Sequence, residues 1–179
     1  MTTGKHLLRR LRDGSRLAAV CLFVSLALTP ATKGAEVSIE RGKQVSIIGG
    51  CHDCHTGNYL ESNGKIDPAL ALKGTGLGWQ GPWGTTYPLN LRITAASMDE
   101  NAFVKFAKEF KTRPPMPWFN VHALDESDIR SLYRYIKSLG APGKQAPMAA
   151  APGVPVKTPY IVIAPPIMPK PGGAASGGK

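Results

Sequence analysis

The stretch that decides the reading is Ile47-Ile48-Gly49-Gly50-Cys51-His52-Asp53-Cys54-His55. A helical segment, about Ile39 to Ile48, runs into Gly49-Gly50, a helix-ending signal. Directly after it stand two cysteines three positions apart, with a histidine following the second. Thiols at that spacing share one helical turn, so each can add to one vinyl group of a single haem. The histidine next in sequence is then held under the iron as its proximal ligand. Cys-x-x-Cys-His is the attachment signature of c-type haem. His52, between the two cysteines, is expected to face solvent rather than iron.

Other uses of a Cys-x-x-Cys pair fit less well. A thioredoxin-like pair opens a helix after a strand, in an alternating α/β pattern. Here the pair follows a helix and that pattern is missing. A structural zinc site wants four ligands, usually including a second Cys pair. The chain has three cysteines in all, and one of them, Cys21, lies in the targeting segment described next. A structural disulfide is the plainest remaining use in an exported protein. Export itself favours haem, because bacterial c-type attachment occurs outside the cytoplasm.

Export is read from the N-terminus. Lys5, Arg9, Arg10, Arg12 and Arg16 precede the apolar run Leu17 to Leu28, which is followed by Thr29-Pro30-Ala31-Thr32. A basic start, a short apolar centre and small residues after it describe a secretory signal peptide over residues 1–35, with cleavage between 31 and 35. The general secretory route fits better than the twin-arginine route, and Cys21 leaves with the signal. The full chain of 179 residues carries a formal charge of +10, and about half of it is targeting signal. The remainder is +5, too little to support a nucleic-acid partner. No apolar run reaches the roughly 18 residues of a membrane-spanning helix, so no membrane span is expected in the mature chain.

Two compositions follow the signal. Residues 36–140 mix apolar, charged and turn residues as a globular domain does. Residues 140–179 hold nine Pro, seven Gly and eight Ala, and such a segment buries too little side chain to offset its ordering entropy. Residues 141–179 are therefore expected to form a Pro/Gly/Ala-rich flexible tail. Its one apolar island, Tyr160-Ile161-Val162-Ile163, could add as a strand or dock on the globule. Within the domain three helices are expected. The first spans about Ile39–Ile48. The second spans about Met98–Phe110, with Ser97 as N-cap and Glu100 completing a capping box. The third spans about Asp125–Leu139, with acids in its first turn and Lys137 near its end. A Gly-rich loop, residues 56–96, joins the first two, and no strong strand is expected in the domain.

An iron held by one histidine needs a sixth ligand or an open site. Candidates are Met98, Met116, Met148, Met168, His52 and His122. Met116 lies in Arg113-Pro114-Pro115-Met116-Pro117-Trp118. Three prolines fix backbone dihedrals there, so the loop presents one side chain at little entropic cost. His122 is the second choice. Lys43, Lys65, Lys73, Arg92, Lys105, Lys108 and Lys111 could steer an acidic partner or simply form a solvated face. Arg92, Trp79, Trp83, Tyr87 and Asn90 could bind haem propionates or serve as loop packing.

The order of helix, Cys-x-x-Cys-His, long loop, helix, Met loop and terminal helix resembles the class I c-type cytochromes. Arg41-Gly42-Lys43, Gly49-Gly50-Cys51, Trp83-Gly84-Thr85-Thr86-Tyr87 with Asn90, and Pro115-Met116-Pro117 resemble the monohaem domains associated with periplasmic or membrane-bound dehydrogenases. The likeness covers roughly residues 38–140. It implies an all-α small cytochrome c fold, with about three main helices around one covalent haem c. Cys51 and Cys54 would carry the haem, His55 would be the proximal iron ligand and Met116 the distal one. Gly42 would let the first helix cross the last near Tyr135. Relatives often carry an aromatic after Arg-Gly-Lys, where this chain has Gln44, and alcohol-dehydrogenase cytochrome subunits commonly carry three haem domains where this chain has one.

The resemblance implies an electron-transfer protein of the periplasm rather than an enzyme. It would carry electrons from a dehydrogenase donor to a cytochrome or oxidase acceptor. Two alternatives stay open: a subunit docked by its tail in a larger oxidoreductase, and a haem sensor or enzyme with an open iron site.

Overall fold

Ser38 opens the first helix. Its hydroxyl accepts the backbone N–H of Arg41 at 3.0 Å, satisfying a donor that has no partner within the helix. This is α1, Ile39–Ile48, in a computed structural model that describes residues 36–168. The signal peptide expected over residues 1–35 and the last residues of the tail, 169–179, lie outside the described residues. The elements that follow are α2 (Cys51–His55), β1 (Gly78–Gly81), β2 (Gly84–Thr86) and α3 (Leu91–Ala96). After them come α4 (Glu100–Glu109), α5 (Trp118–His122), α6 (Glu126–Ser138) and β3 (Tyr160–Val162).

The frame is the crossing of α1 over α6. Gly42 makes it possible, because a Cβ built there would lie 2.0 Å from the Ser131 carbonyl oxygen and 2.7 Å from Tyr135 Cβ. Those separations are far inside van der Waals contact, so the backbones of the two helices meet at that point. Beside the crossing, the Arg41 guanidinium donates twice to the Asp128 carboxylate, both bonds at 2.7 Å, in the fork geometry that suits a carboxylate. Val45 of α1, Ile129, Leu132, Tyr135 and Ile136 of α6, Phe103 and Ala107 of α4, Ala95 of α3 and Leu72 of the long loop form one core.

The first and third expected helices are found almost at their expected ends. The second is shorter and capped differently. Asp99, not Ser97, is its N-cap, accepting Ala102 N–H at 2.8 Å. Ser97 instead closes the short α3. Glu100 turns away from any capping box to accept Arg130 and Arg134 of α6, each at 3.1 Å.

The expected all-α class is corrected by a small sheet, ordered β2-β1-β3. β1 and β2 form an antiparallel hairpin, with Trp79 opposite Thr86 and Gln80 opposite Thr85. Their sequences, Gly-Trp-Gln-Gly and Gly-Thr-Thr, carry none of the alternating apolar pattern that marks a strand. β3, the apolar island, pairs parallel to β1 with Gly78 opposite Tyr160 and Gln80 opposite Val162.

Up to Met168, the segment expected as a flexible tail is laid along the hairpin and the long loop. Thr85 and Ala150 exchange backbone hydrogen bonds at 3.1 and 2.9 Å. Gly78 N–H reaches Pro159 O at 2.8 Å, and the Tyr87 and Thr158 hydroxyls lie 2.5 Å apart. The segment is a strap held by main-chain bonds. That route to order needs no buried side chains, so composition alone does not reveal it. Among the described residues no helix is long and apolar enough to cross a membrane.

Candidate functional site

The site is built on α2. Gly50, in the left-handed region at φ 67, turns the chain out of α1 so that the helix restarts at once. Cys51 and Cys54 are free and half-buried. Burial pushes the Cys51 thiol up to about 11 and also raises Cys54. Thiols of redox motifs are tuned the opposite way, towards thiolate, so this pair does not suit disulfide exchange. Among the described residues no group of three or more His, Cys, Asp or Glu gathers to hold a metal ion, and the zinc reading has no support.

His55 is buried at 7% exposure. Its Nδ1 lies 2.7 Å from the carbonyl oxygen of Leu89. A carbonyl can only accept, so Nδ1 carries the proton and Nε2 presents its lone pair. Burial lowers the pKa of the ring, against a raising contribution from the Leu89 carbonyl. A neutral imidazole whose other N–H is committed to a carbonyl is the form that ligates metals.

The Leu89 carbonyl is held from several directions. Gly74 donates its N–H to His55 O at 2.8 Å. Gly74 sits at φ 75, and a Cβ there would fall 2.5 Å from Pro88 O and 2.8 Å from the Leu89 carbonyl carbon. Only a residue without Cβ can press on that peptide. On the other side Asn90 is fully buried. Its Oδ1 accepts the N–H groups of Arg92 and Ile93 at 3.0 and 3.3 Å, capping α3. Its Nδ2 donates to Pro142 O at 2.7 Å and Lys144 O at 2.9 Å, both on the strap. Leu91 N–H reaches Leu72 O at 2.9 Å, tying the same segment to the core.

His52 does not face solvent, contrary to expectation; it is at 0% exposure. Its Nε2 is 3.0 Å from Ser46 Oγ and its Nδ1 is 2.7 Å from Thr56 Oγ1. Ser46 spends its one proton on Lys43 O at 2.7 Å, so Nε2 of His52 must donate to the serine. Nδ1 then accepts the Thr56 hydroxyl, which in turn accepts Leu72 N–H at 2.9 Å. Both ring nitrogens of His52 and the hydroxyls of Ser46 and Thr56 are satisfied with His52 neutral. Burial, with lesser contributions from His55 and Lys43, lowers its pKa to about 4. This ring bolts α2 to α1 and to the long loop. The available signal was Thr56, a hydroxyl residue at the C-cap of α2, just past the helix that carries His52.

The other ligand candidates lie as follows. Met98 packs against the core. Met148 and Met168 are 88% and 79% exposed. His122 donates from Nε2 to Phe110 O at 2.8 Å. Met116 is half-buried in the loop before α5, flanked by a cis Pro114–Pro115 bond and by Pro117. Two side chains tie that loop to the hairpin. Thr86 Oγ1 donates to Pro114 O at 2.8 Å, and Arg113 donates to Trp83 O at 3.1 Å and to Ala150 O at 3.2 Å.

Of the residues considered for propionates, Arg92 is buried and donates to the carbonyls of Ala71 (2.7 Å), Leu139 (2.6 Å) and Pro68 (2.5 Å). It therefore joins the long loop to the end of α6 and offers no surface charge for steering. Asn90 and Tyr87 are committed to the strap. Trp83 Nε1 is buried without a hydrogen-bond partner among the described residues. Sequence reasoning missed the Leu89 carbonyl, because a main-chain oxygen has no residue signature.

Residues 39–140 match the family model described as Cytochrome c. Two curated relatives are each 26% identical over 153 residues, covering 78% of this chain and 31% of their own length. Each is described as the cytochrome c subunit of a quinone alcohol dehydrogenase, one from Gluconacetobacter polyoxogenes and one from Komagataeibacter europaeus. The chain thus spans about a third of the length of the relatives it matches. No solved structure matches it.

Proposed function

Because the chain belongs to the cytochrome c family, which carries covalent haem c and transfers electrons, we propose that Cys51 and Cys54 attach the haem, His55 is its proximal ligand and Met116 its distal ligand. The observation that carries this reading is the His55 geometry: a buried neutral ring, Nδ1–H fixed on Leu89 O, and Nε2 without a hydrogen-bond partner among the described residues. The two thiols beside it are free of any disulfide among the described residues, as thioether formation requires. Met116 is favoured because the other candidates are engaged or exposed. Met98 packs on the core, His52 is bonded at both nitrogens, His122 is bonded at Nε2, and Met148 and Met168 are exposed.

The haem supplies a one-electron ferrous/ferric couple when bound. His55 and Met116 would both hold the iron in its ferrous and ferric states, so little would reorganise on transfer, and His/Met ligation would favour a high potential. Trp83 Nε1, a buried donor without an acceptor, suits a propionate oxygen. The N-terminal segment supports export to the periplasm, and the named relatives support a dehydrogenase as electron donor.

The test is Met116→Ala in the purified mature protein. Covalent haem is retained on a denaturing gel, the Met–iron charge-transfer absorption disappears, and the ferrous form binds carbon monoxide. An unchanged spectrum would exclude Met116 as ligand. Absence of covalent haem in the wild type would sink the assignment of Cys51 and Cys54.

A further inference from the structure

The strap begins its run at Asn90, one residue after the carbonyl that accepts from His55. The acceptor of the His55 Nδ1–H is the Leu89 carbonyl. That carbonyl shares one planar peptide unit with the N–H of Asn90. The direction in which the carbonyl points is therefore fixed by whatever fixes Asn90. At Asn90 the backbone is extended, with φ −74 and ψ 101. The side chain is anchored at both ends, by α3 through Oδ1 and by Pro142 and Lys144 through Nδ2. Residues 52 and 54 positions further along the chain thus set one edge of the proximal hydrogen bond. Arg92, two residues on, repeats the link by donating to Leu139 O and, at 3.4 Å, to Ala141 O.

We propose that Asn90 is a positioning residue through which the C-terminal strap holds the Leu89 carbonyl against the Nδ1–H of His55, and so sets the donor strength of the imidazole towards iron. The proposal rests on the reading of His55 as the proximal ligand. It assigns the strap a part in the site itself, where the composition of residues 141–179 suggested a loose tail or a tether for a partner. A stronger acceptor makes the imidazole more basic and favours ferric iron, whereas a loosened acceptor has the opposite effect.

The test uses the full haem-loaded chain and two variants. Asn90→Ser keeps an oxygen for the α3 cap and removes both donors to the strap. Two hydrogen bonds, at their usual net worth, are enough for about a tenfold larger open population. The expected result is about tenfold faster exchange of the His55 Nδ1–H in the ferrous protein by proton NMR, together with a rise in midpoint potential. Tyr87→Phe releases the strap at Thr158, 14 residues beyond Lys144, while keeping both Asn90 bonds to the strap, and is expected to leave both readouts at their wild-type values.

Unchanged exchange in Asn90→Ser overturns the proposal. So does equal acceleration in Tyr87→Phe, which would mean that general stability is being read. If Asn90→Ser does not assemble, Asn90→Asp is read in the same way, since it keeps the cap oxygen and turns an acceptor towards both strap carbonyls. A wild-type protein with covalent haem but no haem-shifted His55 ring proton would overturn the proximal-ligand reading along with the proposal. Normal His55 signals with no response to Asn90→Ser would overturn the proposal alone.

Discussion

The segment that braces His55, proposed as the proximal ligand, and the loop that carries Met116, proposed as the distal one, are held in opposite ways. On the proximal side, the segment Pro88-Leu89-Asn90 is gripped by Gly74, Leu72, the α3 cap and the strap, and the side chains doing the work are fully buried. On the distal side, the Met116 loop is tied by Thr86 and Arg113 through exposed hydrogen bonds to backbone oxygens. Buried bonds cost more to break than exposed ones, because the orphaned partner finds no water. The proximal side should therefore answer mutation with lost stability. The distal side should answer with altered ligation in a protein that still folds.

The largest effect should come from Gly74→Ala. It forces a Cβ onto a backbone at φ 75, and that Cβ would lie 2.5 Å from Pro88 O. Left-handed strain and overpacking together are worth about 3 kcal/mol. The expectation is a denaturant midpoint well below wild type, with His55 ligation weakened in whatever folds. A midpoint within error of wild type would show that the proximal peptide is not gripped as described.

A pH titration sharpens the same side. His52 is held neutral with its pKa lowered to about 4, against an ordinary value of 6.5. Below pH 6.5 the unfolded chain takes up a proton that the folded chain refuses, so stability falls with acidification and the loss is complete near pH 4. At 1.36 kcal/mol per unit the ceiling is about 3 kcal/mol, reduced by any relaxation of the site. Glu100 is also perturbed, its carboxylate held below the ordinary 4.5 by hydrogen bonds from Arg134 and Arg130. That contribution is lost only at lower pH, so the window between 6.5 and 4 reports the two buried histidines, His52 and His55, whose ring pKa burial also lowers. The step should shrink in His52→Gln, and a step of unchanged size would move its origin elsewhere.

How much of this was legible in the sequence follows the same division. α1 and α6 were readable because a helix ends on glycine or charge signals and, in α6, repeats its burial every turn, whereas the Gly42 crossing was expected only from the resemblance to class I cytochromes. The Cys-His motif was readable because its chemistry fixes the spacing. The grip on the site was not, because it consists mostly of main-chain atoms. The Leu89 carbonyl, the Thr85–Ala150 bonds and the Pro159 acceptor leave no trace in residue type. The hairpin was missed because glycine and threonine fill it. His52 was misplaced because a histidine in an x position looks solvated until Ser46 and Thr56 are seen to reach both of its nitrogens.

The smallest change in stability is expected for Thr86→Val, and it is the one that divides the two sides most cleanly. The Thr86 hydroxyl donates to Pro114 O at 2.8 Å in an exposed setting. Water can replace that donor, so the loss should be about 0.5 to 1 kcal/mol, readable as a small shift in the denaturant midpoint. Pro114 nevertheless lies two residues before Met116, and prolines on both sides pass any movement of it to the thioether. The Met–iron charge-transfer absorption should therefore weaken or shift while the His55 ring proton keeps its wild-type exchange rate. If both readouts moved together, the proximal and distal grips would be one mechanical unit, and the contrast between them would fail. If neither moved, Arg113 alone would be enough to hold the distal loop, since it reaches Trp83 O on the hairpin and Ala150 O on the strap.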